Sequence, residues 1–364
     1  MLPTDPAVFE ARVARAAAAY AVVGADAALV TSPSNVRYLT GFTGSAGAAL
    51  LLRDGIVLAT DGRYAEQAAH ESPGARIVLD RDGAARLLSW AADSGTTTVA
   101  IEAHHVSLHD FGTLTAAADG YGLSLVPVSD LLDGLRLIKD DHEVDRIRRA
   151  CTVTMQSLEA LWGEVAPGVS EQALAQEFIR LITAAGADGP AFEPIIATGA
   201  NASRPHHRAG ASVVKKGDVI VFDVGARVDG YCADLSRTVC VGTAPARLAE
   251  IHREVRTAQS RARAALAHDV PAAAVDAAAR EHLGSVGLGE LFVHGTGHGV
   301  GLDIHEAPLI GPRSADTLQA RSVVTVEPGA YLPGLGGVRI EDTMLVTPTG
   351  SECLTDLTRE LVVL

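Results

Sequence analysis

Four carboxylates and one imidazole in the last part of the chain constrain its fold more than any other feature. They are Asp223, Asp234, His298, Glu327 and Glu341. The acidic residues follow or interrupt apolar runs of strand type, such as residues 219–222 and 323–326. Gathering so many unpaired carboxylates in a folded interior is very costly unless divalent cations neutralise them. The set therefore predicts a two-metal hydrolytic centre.

A turn signal separates the two aspartates. Asp223 ends one apolar run, and Asp234 lies on the run that follows Asp229-Gly230, a dipeptide that favours a hairpin turn. With an even-numbered loop, Asp223 would lie opposite Asp234 or diagonal to it, and both carboxylates would share one face. One hairpin could then offer two carboxylates to a shared ion pair.

Residues 294–301 read His-Gly-Thr-Gly-His-Gly-Val-Gly. This segment is too rich in glycine to be a helix, which separates it from the helical two-histidine zinc motif. We expect its glycines to let the backbone approach a ligand closely. The glycine spacing does not fit the dinucleotide-binding fingerprint, so a nicotinamide cofactor is not expected.

Several segments resemble the pita-bread metallopeptidases, specifically the branch of Xaa-Pro aminopeptidase and prolidase. They are residues 222–225 (FDVG), 234–238 (DLSRT), 294–308, 326–331 (VEPGAY) and 338–343 (VRIEDT). Residues 31–44 also resemble the creatinase-type amino-terminal domain of that branch. The resemblance implies an α/β creatinase-type domain, followed by an α+β pita-bread catalytic domain with a curved, mostly antiparallel sheet.

The resemblance also implies how metal would be held. Asp234 and Glu341 would bridge two divalent ions, Asp223 would hold one of them, and His298 with Glu327 would hold the other. Glu327 would take a proton from the bridging water and pass it to the departing proline nitrogen. Four carboxylates and one imidazole favour oxygen-preferring ions, so manganese is expected, with cobalt or zinc as alternatives.

Four further residues receive roles from the resemblance. His206 and His305 would stabilise the tetrahedral intermediate, and His294 would shape the pocket for proline. Arg339 would pair with the ligands or orient the site, because on a strand it would share a face with Glu341, two positions later. His207 is the alternative to His206, since the two histidines are adjacent.

The resemblance implies an aminopeptidase that hydrolyses the first bond of short peptides with proline at the second position. Prolidase, which is restricted to dipeptides, is the main alternative. Methionine aminopeptidases usually lack the first domain and the two carboxylate motifs present here. Metal-free creatinase-type enzymes and non-catalytic binding proteins of this fold normally lose ligands, whereas all five are present. A homodimer is also implied.

Composition limits the partners and the compartment. The 364-residue chain has a net charge of -14, and its basic cluster at 146–149 lies on a predicted helix, so nucleic acid is not expected. The Ala-rich stretch from Ala14 to Val30 contains Arg15 and Asp26, so neither a membrane span nor a secretory signal is expected. Four cysteines without paired spacing are typical of a reducing cytoplasm.

The alternation of patterns predicts two domains, 1–133 and 134–364. In the first domain, helices are predicted at 5–23, 61–71, 82–94 and 106–119, and strands at 27–31, 48–52, 56–60, 75–79, 97–101 and 123–127. In the second domain, Asp140 or Asp141 would cap a long amphipathic helix that Pro167-Gly168 stops, and Ser170 would cap a helix running to Gly186. Two more helices are predicted at 245–267 and 271–286.

Overall fold

A computed structural model of the chain describes residues 6–364. The chain divides into two compact units, Met1–Arg136 and Leu137–Leu364. The start of the first predicted helix, at residue 5, lies outside the described residues, and the domain boundary at residue 133 stays a prediction. Among residues 6–364, no helix combines the length and the apolar character that a membrane crossing requires.

In the first unit, helices pack on a mixed six-stranded sheet. The helices are α1 (Pro6–Val22), α2 (Pro33–Thr40), α3 (Ala65–Glu71), α4 (Gly83–Asp93) and α5 (Leu108–Gly120). The strands are β1 (Ala27–Val30), β2 (Gly47–Leu52), β3 (Gly55–Thr60), β4 (Arg76–Leu79), β5 (Thr98–Glu102) and β6 (Ser124–Val128), in the order β4-β3-β2-β1-β5-β6. The alternation predicted from the sequence is confirmed.

Helix α2 was not predicted, although it lies within the motif at residues 31–44. Pro33 occupies its first position, where the missing N–H is not needed, and Gly41 ends it with φ of 82°. The buried carboxylate of Glu102 accepts hydrogen bonds from the backbone N–H of Ser32 at 2.8 Å and from Asn35 Nδ2 at 2.6 Å. A carboxylate that is distant in the sequence therefore stabilises this helix, which is too short to show a clear helical periodicity of apolar residues.

The main helices of the second unit have 14 to 22 residues. A short helix, α6 (Asp133–Leu137), crosses the boundary between the two units, and it is followed by α7 (Asp141–Trp162), α8 (Glu171–Ala184), α9 (Ala246–Ala265) and α10 (Ala272–Ser285). Asp140 caps α7 in a reciprocal capping box with Glu143, and Ser170 Oγ accepts from the N–H of Ala173 at 3.1 Å to cap α8. Both predicted caps are confirmed.

Fourteen strands of the second unit form four small sheets, in which most pairs are antiparallel. They are β7 (Gly189–Pro190), β8 (Ile195–Thr198), β9 (Val219–Val224), β10 (Ala226–Val228), β11 (Tyr231–Cys232), β12 (Leu235–Cys240), β13 (Gly297–Gly299), β14 (Glu306–Ile310), β15 (Val323–Val326), β16 (Gly329–Leu332), β17 (Gly336–Arg339), β18 (Asp342–Thr347), β19 (Gly350–Cys353) and β20 (Val362–Val363). The orders are β20-β12-β9-β8, β14-β13-β15-β18-β19, β11-β10-β7 and β16-β17.

Residues 219–222 of β9 are buried on both faces of the strand, which explains why they form an unbroken apolar run. Val219 and Val221 pack in a core with α9 and α10, whereas Ile220 and Phe222 pack in a second core with α7 and α8. The two cores hold β9 rigidly from both sides. Asp223 follows Phe222 on the same strand and takes its position from it.

The predicted turn at Asp229-Gly230 is present, but it joins different strands from those expected. Both residues have positive φ, 49° and 81°, as a two-residue hairpin turn requires. The turn connects β10 to β11, which belong to the three-stranded sheet. The two aspartates therefore do not flank one simple hairpin.

The pairing of β9 with β12 nevertheless brings the aspartates to one face. Asp223 lies opposite Ser236, and Asp234 lies two residues before Ser236, so the diagonal arrangement is the one found. The chain leaves β9 at Gly225, where a Cβ would lie 2.0 Å from the carbonyl oxygen of Ala233. Only glycine fits this crossing of two chain segments.

Candidate active site

Three predicted ligands from distant parts of the second unit meet in one cluster. Candidate ligand atoms of Asp234, His298 and Glu341 all lie within 4.8 Å of one another. Glu327 adjoins the cluster, because its Oε1 lies 3.5 Å from His298 Nε2. Asp223 lies on the adjoining strand β9, and its Oδ2 accepts a hydrogen bond from Arg339 Nη2 at 2.6 Å.

The carboxylates of this cluster have oxygens that no protein group satisfies. Within residues 6–364, the buried Oδ1 of Asp223, Oδ1 of Asp234 and Oε1 of Glu341 have no hydrogen-bond partner. A buried carboxylate oxygen without a partner is unfavourable, and a divalent cation supplies the missing interaction. The residues present therefore fit a metal site.

The raised pKa values of the carboxyl groups in this cluster also indicate a cation site. Burial raises the pKa of Asp234 and of Glu341 well above the ordinary value, and the neighbouring carboxylates raise both further. Burial also raises the pKa of Glu327 to about 8, although Arg339 opposes this effect. The protein alone disfavours the ionised forms, whereas a bound cation would favour them.

The hydrogen bonding of His298 fixes its tautomer. Its Nδ1 lies 3.0 Å from the carbonyl oxygen of Gly299, so Nδ1 carries the proton and donates it. Burial lowers the pKa of His298 to about 4, which keeps the ring neutral near pH 7. The lone pair of Nε2 therefore faces Asp234 and Glu327, as a metal-binding imidazole requires.

The glycines on either side of His298 are required by the close packing of neighbouring strands. A Cβ at Gly297 would lie 2.0 Å from the carbonyl oxygen of Thr325, and one at Gly299 would lie 2.1 Å from that of Ala307. The expectation that these glycines let the backbone approach a ligand stays a prediction, and Gly295 and Gly297 do line the cavity. Close strand packing places His298.

Arg339 is buried and organises several groups at once. It donates from Nη2 to Asp223, from Nη1 to the hydroxyl of Tyr331 at 2.8 Å, and from Nε to Ser236 Oγ at 2.9 Å. Ser236 in turn donates to Glu341 Oε2 at 2.9 Å. Sequence reasoning missed Ser236, although its position two residues after Asp234 on one strand indicates the same face.

His294 has both ring nitrogens engaged. Its Nδ1 lies 2.7 Å from the carbonyl oxygen of Gly295 and must donate, so Nε2 accepts the hydrogen bond of the Tyr331 hydroxyl at 2.8 Å. Burial lowers the pKa of His294 to about 4. His294 therefore presents its ring, and not a free nitrogen, to the site. Tyr331 is a second residue that sequence reasoning left without a role.

The remaining histidines separate into two groups. His305 is exposed, and its ring lies 4.4 Å from that of His298, edge to face. His206 is also exposed and lines the same cavity as His305. His207 points elsewhere, since its Nε2 lies 2.8 Å from Glu171 Oε2. The geometry favours His206 over His207 for contact with a substrate.

A cavity of about 780 Å³ opens in front of the cluster. The predicted site residues that line it are His206, Asp223, His294, His298, His305, Glu327 and Arg339. Asp234 and Glu341 lie deeper and are only 5% and 1% exposed. The cavity continues along Phe292, Leu309 and the loop 311–316, none of which the sequence analysis singled out.

Comparison with protein families accounts for both units. Residues 145–348 match metallopeptidase family M24, and residues 12–138 match the creatinase/prolidase N-terminal domain. The chain belongs to metallopeptidase family M24. The predicted fold class is confirmed, namely an α/β creatinase-type domain followed by an α+β pita-bread domain with a mostly antiparallel sheet.

Relatives within family M24 carry two kinds of name. An uncharacterized peptidase of Bacillus subtilis is 36% identical over 94% of this chain and 97% of its own. The structure of an Xaa-Pro dipeptidase from Bacillus anthracis has a TM-score of 0.94 at 34% identity, covering 98% of this chain and 100% of that chain. An X-Pro aminopeptidase from Thermotoga maritima has a TM-score of 0.88 at 33% identity, covering 95% and 100%.

Membership of family M24 makes the chain a metal-dependent hydrolase of peptides, and the cluster of Asp234, His298 and Glu341 is a possible place for the metal. The family does not separate a dipeptidase from an aminopeptidase, because relatives of both names share the fold and the length of this chain.

Proposed function

We propose that the protein is an Xaa-Pro aminopeptidase that uses two divalent metal ions to hydrolyse the first bond of peptides with proline second. The observation that carries this proposal is the set of partnerless carboxylate oxygens beside a cavity with exposed histidines. Asp234 and Glu341 would hold both ions, Asp223 would hold one, and His298 with Glu327 would hold the other. Manganese suits this oxygen-rich set, with cobalt or zinc as alternatives.

The metal ions would supply a nucleophilic water of lowered pKa and would stabilise negative charge on the substrate oxygen. Glu327 takes up a proton at a carboxylate oxygen and delivers it to the departing proline nitrogen, a task for which partial burial of this carboxyl is suited. His206 and His305 line the cavity and donate to the oxyanion of the tetrahedral intermediate. His294, held by Tyr331, forms part of the wall that receives proline.

The size of the cavity supports an aminopeptidase. Its volume of about 780 Å³ exceeds what a dipeptide fills, and the space continues along the loop 311–316. Leu309 and Val293 are 61% and 66% exposed on its lining and offer apolar contact to residues beyond proline. We therefore propose short peptides longer than two residues as substrates. A cytoplasmic homodimer without nucleic-acid or membrane partners completes the proposal.

One observation favours the alternative, a dipeptidase. Arg313 lines the cavity and is exposed, and no hydrogen bond or ion pair to another of residues 6–364 occupies it. A free guanidinium suits the carboxylate that ends a dipeptide, because the two groups form charge-assisted hydrogen bonds. Arg339, by contrast, is already paired with Asp223.

A panel of peptides tests the choice. With manganese added, Ala-Pro-Ala should be cleaved at its first bond with higher kcat/KM than Ala-Pro, whereas Ala-Ala-Ala and N-acetylated Ala-Pro-Ala should resist. Arg313→Gln should then change the KM of both substrates similarly. Arg208→Gln, which replaces a surface arginine paired with Glu193, is its control. Efficient cleavage of Ala-Pro alone, with a KM that Arg313→Gln raises, would make the protein a dipeptidase.

Metal dependence tests the proposal more generally. Exhaustive chelation should abolish turnover of Ala-Pro-Ala, and manganese or cobalt should restore it. Elemental analysis of the restored enzyme should give two ions per chain. Full activity in a preparation shown to be free of metal would rule out the proposed chemistry.

A further inference from the structure

Glu171 is a buried carboxylate that lies outside the metal cluster. The proposed chemistry does not use it. Its side chain is 0% exposed, at the first residue of α8. Its Oε1 accepts from the backbone N–H of Thr198 at 2.9 Å and from Asn201 Nδ2 at 2.8 Å. Its Oε2 lies 2.8 Å from His207 Nε2 and accepts from the N–H of Gly210 at 3.2 Å.

All four partners of Glu171 belong to one segment, residues 198–210, which we call the histidine segment. It contains His206, which lines the cavity. Such concentration of hydrogen bonds on one buried carboxylate fixes a segment that otherwise has only a short helical stretch, at Gly199–Ser203. Glu171 therefore acts on the part of the cavity wall that bears His206.

His207 is the contact of Glu171 nearest to His206. A carboxylate only accepts hydrogen bonds, so His207 Nε2 is the donor, and its side chain is 10% exposed. On the other side of His206, the carbonyl oxygen of Pro205 accepts from Arg339 Nη1 at 3.3 Å. The backbone is thus held directly before and directly after the exposed ring of His206.

We propose that His207 is a positioning residue, and that its hydrogen bond to Glu171 sets the place of His206 in the cavity. The inference rests on the proposed function for the role of His206, and it adds two residues that act through it. His207 itself does not reach the substrate. The adjacent histidines therefore have separate tasks, one inside the cavity and one behind it.

Kinetics of single and double variants test this inference. His207→Phe keeps an aromatic ring but removes the donor, so it should lower kcat for Ala-Pro-Ala by about 10- to 100-fold with little change in KM. His207→Gln retains an N–H and should restore part of the loss. Arg208→Gln, which alters an exposed pair with Glu193, is the matched control and should leave kcat unchanged.

The double variant decides whether His207 acts through His206. If it does, adding His207→Phe to His206→Gln should lower kcat little further, because the group being positioned is already absent. Losses that multiply in the double variant would overturn the inference. The same comparison with Glu171→Gln should give the same non-additive result.

Hydrogen–deuterium exchange provides a reading that does not depend on activity. In His207→Phe and Glu171→Gln, amides of the histidine segment should exchange faster, while those in the body of α8 should not. Failure to cleave any Xaa-Pro peptide would refute the proposed function, but the exchange measurement would still test the positioning role of His207. Unchanged exchange in the segment would refute the positioning role, and His207→Gln allows the same measurement if His207→Phe does not fold.

Discussion

Glu341 and His305 lie in the same site but in different surroundings. Glu341 is 1% exposed and has an oxygen without a partner among residues 6–364, as a metal ligand would. His305 is exposed on the cavity, with its ring beside that of His298. Substitution of each should therefore remove a different function.

Glu341→Ala should lower both metal content and kcat, because a buried ligand oxygen is lost. His305→Ala should retain its metal and lose about 100- to 1,000-fold in kcat, the usual effect of removing one donor to an oxyanion. Elemental analysis and kinetics on the same preparations check both, with the exposed Glu352→Ala as control. Near-normal kcat in either variant would contradict its assigned role.

The pKa of Glu327 predicts how pH changes the effect of metal. Burial raises this pKa from 4.5 to about 8 in the metal-free protein. A raised carboxyl pKa contributes stability in full below about pH 4.5, and the contribution is lost as the pH rises through about 8. The stability that Glu327 contributes to the metal-free protein therefore falls over this range, whereas a bound cation would hold the carboxylate ionised and remove this part of the pH dependence.

The increase in Tm caused by metal should accordingly grow as the pH rises from about 4.5 to 8. Binding within this range should also release protons, which calorimetric titration in buffers of different ionisation enthalpy measures. A metal effect on Tm that shrinks over the same range, with no proton release, would contradict the cation-binding interpretation.

Sequence identified the residue types of the site better than their partners. The candidate ligands stand out because four acidic residues and a histidine occur together, in this order, beside apolar runs and glycine-rich motifs. The choice between His206 and His207 depends on Glu171, which lies 36 residues before His207 in the chain, so no local pattern reveals it. The roles of Tyr331 and Ser236 were not predicted for the same reason, since each residue acts through a hydrogen bond with Arg339.

At the scale of elements, strand β13 depends on glycine for its packing. Its backbone pairs with β14 and β15, with a register shift between His298 and Gly299, and a Cβ at Gly297 would meet the carbonyl oxygen of Thr325. His298 therefore keeps its place only while both flanking residues lack side chains.

Gly297→Ala should destabilise the protein by about 2 kcal/mol or more, because the new methyl group overlaps the backbone of β15. Metal affinity should fall with it, as His298 moves with the strand. Gly284→Ala is the control, since an added Cβ there meets nothing within 4 Å and alanine favours helix by about 1 kcal/mol. Equal Tm in both variants would show that β13 tolerates a side chain.

Helices were easier to predict than strand pairing. Apolar periodicity and the caps at Asp140 and Ser170 placed the starts of α7 and α8 correctly, although α7 ends at Trp162, before the predicted stop at Pro167-Gly168. The connection between β9 and β12 was misread, because β10 and β11 are only 3 and 2 residues long and carry no alternation of their own. Short strands depend on tertiary contacts that no window of sequence contains.

At the scale of the molecule, the candidate ligands connect elements far apart in the sequence. Asp223 lies on β9 and Asp234 just before β12, while His298 lies on β13 of another sheet. Glu327 follows β15, and Glu341 lies between β17 and β18. Bound metal would therefore link sheets of the second unit, in addition to the apolar core and the buried hydrogen bonds of Arg339 and Thr343 that already join them.

This linkage predicts which segments should become less stable when the metal is removed by chelation. Metal at about 100 times its Kd stabilises the state that binds it by about 2.7 kcal/mol, or roughly 100-fold in the opening equilibrium. Removing it should therefore speed hydrogen–deuterium exchange by up to that factor in the segments around β9, β12, β13 and β18. Strands β1 to β3 of the first unit contain no candidate ligand and serve as the internal control. Equal acceleration in both units, or none near the ligands, would show that metal does not hold these sheets together.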